Sequence, residues 1–338
     1  MIAIFAPVLK RPRRLAALFF FLCAAGCAAP PSPQTLPHTK EESAFIAPDA
    51  TLEMSDGTLI PLRFYRATPP LRGTILALHG FNDSRDGWEI LAPALTRHGF
   101  TIAAPDIRGF GGVQPPVRWA SSTRRLINDV QEELLWLHRH DPEHPLYLMG
   151  ESMGGALALL SAENTSLVSG TILLSPAIMK LPFPLGNILT FWNILTPDMV
   201  LTESNMPGHR ISTANYRALR RLYFDPLTRH DATVHALYGL TTLMTEASGA
   251  APHASLPLLV IWGARDQFVP PRTYNNLRKN LPQDTRFDLL DTGYHLLSRD
   301  QNRVSADIIS WLLTPDKFLP SGGDFAAVSW DNTPHNPF

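Results

Sequence analysis

Cysteine is nearly absent from this 338-residue chain, and the two it has, Cys23 and Cys27, fall together in an apolar stretch near the N-terminus. A disulfide framework or a thiolate zinc site in the body of the protein is therefore excluded. An excess of one charge is missing too. Lys and Arg number 29 against 30 Asp and Glu, and no basic run occurs after the first fifteen residues, which argues against binding nucleic acid through its phosphates. Heptads and internal repeats are lacking as well. With 45% hydrophobic and 17% charged residues the chain is not of the disordered class. What remains is a length sufficient for one large α/β core carrying an inserted subdomain.

The N-terminus accounts for the cysteines. Lys10, Arg11, Arg13 and Arg14 precede an apolar run over residues 15–25, the pattern of an export signal. That run falls short of the roughly 20 residues a permanent membrane span needs. Ala24, Ala25 and Gly26 before Cys27 resemble a bacterial lipoprotein cleavage box, although such boxes usually carry Leu where Ala24 stands. The resemblance implies that residues 1–26 are removed, that Cys27 becomes the lipid-modified first residue, and that the protein is exported and anchored in the bacterial cell envelope, at the outer membrane. Cleavage to an ordinary secreted protein is the alternative. Residues 27–48 are rich in Pro, Ser and Thr, with Pro30, Pro31, Pro33 and Pro37 favouring extended, solvated chain, and read as a tether.

Folded structure is expected from residue 49. Strand patterns at 51–54 and 58–65 flank Ser55-Asp56-Gly57, a hairpin signal. Short, nearly continuous apolar runs follow at 74–78, 101–104, 146–149, 171–174, 258–262 and 286–290, suited to strands covered on both faces. Leu126, Val130, Leu134 and Leu137 keep helical spacing behind Ser121, Ser122 and Thr123, and Val304, Ile308, Trp311 and Leu312 repeat it near the end. The alternation predicts an α/β protein whose mostly parallel sheet is opened by an antiparallel hairpin. Its longest interruption, 178–250, has helical patches but no clear buried strand and reads as an inserted cap. The expected organisation is core at 49–177 and 251–315, cap between, and a tail at 316–338.

The chemistry collects at strand ends. Gly150-Glu151-Ser152-Met153-Gly154-Gly155 follows one apolar run and opens a small-residue helical stretch, the setting of a nucleophile elbow. A G-x-S-x-G string alone arises by chance in roughly one chain in ten of this size, so its context carries the inference. A serine needs a base, and the base an orienting carboxylate. Asp266 follows the run at 258–262 and His295 follows the run at 286–290, so a parallel sheet brings both to the edge where Ser152 emerges. Asp291 is the rival carboxylate.

Taken together, His79-Gly80-Phe81, the segment from Asp106 to Gly111, the Ser152 elbow, the segment from Gly263 to Asp266 and Gly293-Tyr294-His295 resemble the α/β-hydrolase superfamily, and within it the monoacylglycerol lipase and lysophospholipase-like serine hydrolases. The resemblance spans the folded body. It implies an eight-stranded α/β-hydrolase sheet with helices on both faces and a helical cap, catalytic Ser152, Asp266 and His295, and an oxyanion hole from the backbone N–H groups of Phe81 and Met153. It further implies hydrolysis of monoacylglycerol, lysophospholipid or similar acyl esters, without metal or organic cofactor; contact with the membrane is expected from the lipid anchor at Cys27. Many relatives carry His where Glu151 stands, and some carry Glu. His79 and the turn around Asp106 and Arg108 are expected to be scaffold, the latter placing the cap, and Phe183, Phe191, Trp192 and Leu237 of the cap are candidates for holding an acyl chain. A transacylase or aminopeptidase-like enzyme on the same triad is the runner-up, and a non-catalytic envelope lipoprotein the third reading.

Overall fold

The computed structural model describes residues 37–331 apart from 115–118, 120–121, 164, 203–209 and 301–302. The signal segment, Cys27 and the start of the tether lie outside the described residues.

Asp56-Gly57 sits where the hairpin was expected: β1 (Ala50–Glu53) turns into β2 (Leu59–Tyr65), with Gly57 at φ 82° and its N–H donating to Met54 O at 2.8 Å. β3 (Gly73–Leu78), β4 (Phe100–Pro105), β5 (Leu146–Glu151) and β6 (Val168–Leu174) continue the main sheet, and β9 (Leu258–Gly263) and β10 (Arg286–Leu290) complete it. Its order is β1-β2-β4-β3-β5-β6-β9-β10, eight strands, with β2 antiparallel to both β1 and β4 and the rest parallel. Strand alternation divides the core into two layers. Leu76 and Leu78 of β3 and Val260 and Trp262 of β9 point to one face, while Ile75, Ala77, Leu259 and Ile261 point to the other.

Helices cover both faces, which is why these strands read as unbroken apolar runs. The first face packs against α2 (Thr123–His140) and α3 (Met153–Ala162), and the second against α1 (Ala92–Arg97) and α8 (Arg303–Leu313). Ser122 caps α2, its side chain accepting from Arg125 N at 3.2 Å, and Leu126, Val130, Leu134 and Leu137 are its buried stripe. Between β6 and β9 stand α4 (Leu185–Leu195), α5 (Tyr216–Phe224) and α6 (Val234–Ala250), with a small antiparallel pair, β7 (Val200–Thr202) and β8 (Asp231–Thr233), that the sequence pattern did not announce. Three residues per strand leave no room for a period to show.

The two flanks of the body are more folded than the sequence pattern indicated. Beyond α7 (Pro271–Asn280) and α8, the segment set apart as a tail forms α9 (Gly323–Asp331). It lies on β10, with Ala327 buried, Arg286 donating to Asp324 at 2.6 Å and Trp330 Nε1 donating to Asn275 at 2.6 Å. Asp288 of β10 occupies the space a Cβ on Gly323 would need. The end of the tether, from residue 37, runs along α5: Arg220 pairs with Glu42 and donates to Pro37 O at 2.9 Å, Arg221 donates to Ala44 O, and His38 stacks on Phe224.

Candidate active site

At the end of β5 the backbone turns so sharply that Ser152 is held at φ 53°, ψ −115°, in the left-handed half of conformational space, a cost of about 1–3 kcal/mol for a non-glycine residue. The neighbours that permit it are small by necessity. A Cβ on Gly150 would fall 2.1 Å from Gly154 O, one on Gly154 would fall 2.1 Å from Leu78 O, and one on Gly155 would fall 2.8 Å from Pro176 Cβ. Ser152 N donates to Leu174 O at 3.0 Å and Ser152 O accepts from Ala177 N at 2.9 Å, so the elbow is fastened to the end of β6 on both sides.

The ends of β9 and β10 bring the other two groups to this point. Ser152 Oγ lies 2.9 Å from His295 Nε2, and His295 Nδ1 lies 2.7 Å from Asp266 Oδ2. With its proton on Nδ1 the imidazole donates to Asp266 and leaves Nε2 free to accept from the serine hydroxyl, the tautomer that general-base activation needs. Asp266 Oδ1 accepts from the backbone N–H groups of Phe268 and Val269 at 2.8 and 2.9 Å, which fixes the carboxylate, and the Phe268 ring stacks on His295 at 5.0 Å between centroids. Asp291 is not part of the arrangement. Its side chain is 78% exposed and paired with Arg303, whose guanidinium holds the carboxyl below its ordinary pKa.

Of the two expected backbone donors, Met153 follows Ser152 directly and is buried, while Phe81 stands on the loop after β3. That loop passes close to the serine: a Cβ on Gly80 would be 3.6 Å from Ser152 Cβ. His79 braces it. Nδ1–H donates to Gly80 O at 2.7 Å and Nε2 accepts from Ile107 N at 2.9 Å, and complete burial holds the imidazole pKa below its ordinary value. Asn82, at φ 64°, donates through Nδ2 to Asp231 O of β8 at 2.9 Å and accepts from Arg229 N, tying the loop to the cap. The charged residues of the turn around Asp106 and Arg108 hold the core, while its Phe110 packs on Trp119 at 6.1 Å. Asp106 pairs with Arg85 and accepts from its backbone N–H at 2.8 Å, and Arg108 joins Asp129 of α2 at 2.6 Å to Asp56 and Thr58 of the hairpin.

Comparison with known proteins agrees with this geometry. The family described as serine aminopeptidase, S33, matches residues 69–302, a stretch that runs from the start of the parallel strands past His295.

The chain belongs to this family of α/β-hydrolases.

It is a serine hydrolase. Among its relatives, monoglyceride lipase of Rattus norvegicus is 25% identical over 270 residues, covering 76% of this chain and 88% of the relative. Lipase 1 of Psychrobacter immobilis is 23% identical over 304 residues, covering 82% and 90%. Solved structures share the fold. Paleococcus ferrophilus monoacylglycerol lipase gives a TM-score of 0.64 at 22% identity over 75% of this chain and 98% of its own. A soluble variant of Saccharomyces cerevisiae monoglyceride lipase in complex with a substrate analog gives 0.65 at 19% identity over 80% and 96%.

Several residues around the hydrolase site carry no sequence signal. Phe81 packs edge-on to Phe110 at 5.3 Å and beside Trp119 at 6.4 Å, and Trp119 lies against α6 where only Gly239 leaves space, a Cβ there falling 2.1 Å from the indole nitrogen. Trp119 thus joins the Phe81 loop to the cap. The four cap candidates differ in burial: Phe183 and Phe191 are 86% and 58% exposed, while Trp192 and Leu237 are half-buried.

Proposed function

We propose that this hydrolase cleaves medium- to long-chain acyl esters of glycerol or lysolipid type through an acyl-enzyme on Ser152. The observation that carries the reading is the continuous Ser152–His295–Asp266 chain at the elbow of the parallel sheet. His295 Nε2 takes the Ser152 proton as Oγ attacks the ester carbonyl, and Asp266 holds the ring and stabilises the imidazolium. The N–H groups of Met153 and Phe81 receive the charge that develops on the carbonyl oxygen, each worth ~3 kcal/mol in the transition state. His295 then protonates the leaving alcohol, and water activated by the same imidazole opens the acyl-enzyme and frees Ser152. Support for a lipid-like substrate comes from relatives named monoglyceride lipase and from the cap, where the segment between Lys180 and Asp198 has no charged residue and α4 has no buried one. Phe183, Leu185, Ile188, Phe191, Ile194 and Leu195 are all exposed there.

Each methylene buried by the enzyme adds ~0.8 kcal/mol, so kcat/KM rises from acetate through butyrate to octanoate and dodecanoate esters of one leaving group. Kinetics on that series, with 1-monoacylglycerols beside it, decide the matter. An enzyme fastest on acetate and falling steadily with chain length contradicts a lipid substrate and points to a small-ester esterase or a peptidase.

The same reading places the enzyme at a membrane surface, exported and held by lipid on Cys27, with the Pro-rich segment as its tether. Mature protein isolated from membranes then carries a mass increment at Cys27, Cys27→Ser releases it, and Cys23→Ser has no effect because Cys23 leaves with the signal. A mature chain unmodified at Cys27 overturns the anchor.

A further inference from the structure

Beside the triad lies a second set of buried charges, with one member on each of the three loops that must be in register for acyl transfer. Glu151 immediately precedes the nucleophile and is 1% exposed, Arg299 is four residues after His295 and 6% exposed, and Asp83 is two residues after Phe81 and 4% exposed. Glu151 Oε1 accepts from Ser298 N at 2.7 Å and Oε2 accepts from Ser298 Oγ at 2.7 Å, so both carboxylate oxygens grip the turn that follows His295. Arg299 Nη1 lies 3.8 Å from Glu151 Oε2 and 2.8 Å from Asp83 Oδ2, and Arg299 Nη2 donates to Asp83 Oδ1 at 2.9 Å. Gly87 leaves room for the pair, since a Cβ on it would lie 3.0 Å from Asp83 Oδ2.

Three buried charges are an expensive way to fill this space, because desolvation of each ion opposes folding and an apolar cluster of similar volume is commonly no less stable. Burial pushes the Glu151 carboxyl up from its ordinary pKa, and Arg299, the two Ser298 donors and His295 act against that rise. The arrangement instead has directional value. Other holds on the turn come from the inserted segment or from the turn itself: Leu296 N donates to Ser212 O at 2.8 Å, Asn215 Nδ2 donates to Arg299 O at 3.1 Å, and Leu297 N and Arg299 N donate within the turn. Asp266 orients the ring of His295 but does not set how far its backbone stands from Ser152. Glu151 does, because it is bonded to the turn while being covalently next to the nucleophile.

We propose that Glu151, Ser298, Arg299 and Asp83 form a brace that keeps the His295 turn and the Phe81 loop in register with Ser152, with Glu151 as the positioning residue for His295. The proposal rests on the serine-hydrolase reading of Ser152. The ligand of Glu151 is internal, the Ser298 hydroxyl and amide, which occupy one of its acceptor oxygens each.

The test uses the full mature chain, a soluble short-chain activated ester and a small fluorophosphonate, with thermal unfolding measured alongside. Glu151→Ala lowers kcat by about 10²-fold, the expected cost of a displacement of around 1 Å between reacting groups, with KM unchanged within about twofold. The rate constant of fluorophosphonate inactivation falls by the same factor, and Glu151→Gln, which keeps an acceptor for Ser298, recovers at least a tenth of the wild-type kcat. A role confined to stability would lower the melting temperature and leave kcat per folded molecule where it was. Folded Glu151→Ala reacting with the probe at the wild-type rate overturns the brace. Should that variant fail to fold, Ser298→Ala decides, since it removes one hydroxyl donor without stranding a charge: a kcat about five- to tenfold lower supports the brace and a wild-type kcat overturns it. Absence of probe labelling in the wild type itself would instead overturn the reading of Ser152 on which the proposal rests.

Discussion

Asp266→Asn lowers kcat/KM for ester hydrolysis by about four orders of magnitude, and Asp291→Asn leaves it within about twofold. The two carboxylates are separated by what they touch, since each follows a strand of the same sheet edge. Asp266 is buried, is fixed by two backbone N–H groups, and receives His295 Nδ1–H at 2.7 Å. An amide in its place can turn its NH₂ toward Nδ1, which stabilises the tautomer whose Nε2 carries the proton and cannot accept from Ser152. Asp291 faces solvent beside Arg303, and exposed pairs of this kind contribute little to stability and nothing to an imidazole they do not meet. Steady-state kinetics on one soluble ester with both variants checks the assignment. A larger loss for Asp291→Asn would require another orienting carboxylate.

Ser152→Ala is the larger effect, about 10⁵- to 10⁶-fold in kcat, because members of a triad act as one unit and the loss of the nucleophile leaves only binding and the oxyanion donors. The fold is kept. Alanine has the same Cβ as serine at φ 53°, so the strain of the elbow is unchanged, and the removed hydroxyl has its partner in a half-open site. Circular dichroism and melting temperature therefore stay close to wild type while hydrolysis disappears. The same result for both readouts, activity lost with structure lost, would leave the chemistry unassigned to Ser152 and contradict the expectation.

The strands could be located in the sequence because burial on both faces removes polar residues from them: the six-residue run of β9 is buried throughout. The elbow is legible because its glycines stand within three residues of Ser152 in sequence, although only Gly150 is dictated by a local clash, with Gly154, while Gly154 and Gly155 are pressed by Leu78 and Pro176. What escaped is non-local. Glu151 meets Ser298 across 147 positions of sequence and Asp83 meets Arg299 across 216, so no spacing rule could pair them. Phe268, Asn82 and Trp119 are single residues on loops, placed by contacts with elements far along the chain. α9 was missed for a different reason. It follows a turn rich in Pro and Gly, and Phe325 and Val328 remain exposed, so its apolar residues do not fall on one clean face. The partners of Arg108 are hidden as well, since a charged turn at a strand end looks the same in sequence whether its Arg meets a cap or, as here, a hairpin and α2.

Whether Ser152 takes the acyl group is decided by reacting the mature protein with a fluorophosphonate bearing a long alkyl chain, digesting it, and locating the adduct by mass spectrometry. One adduct per chain is expected, on Ser152, formed in step with loss of esterase activity, and none in Ser152→Ala. An unlabelled protein that still hydrolyses esters, or an adduct on another residue that accounts for the activity, would contradict that role.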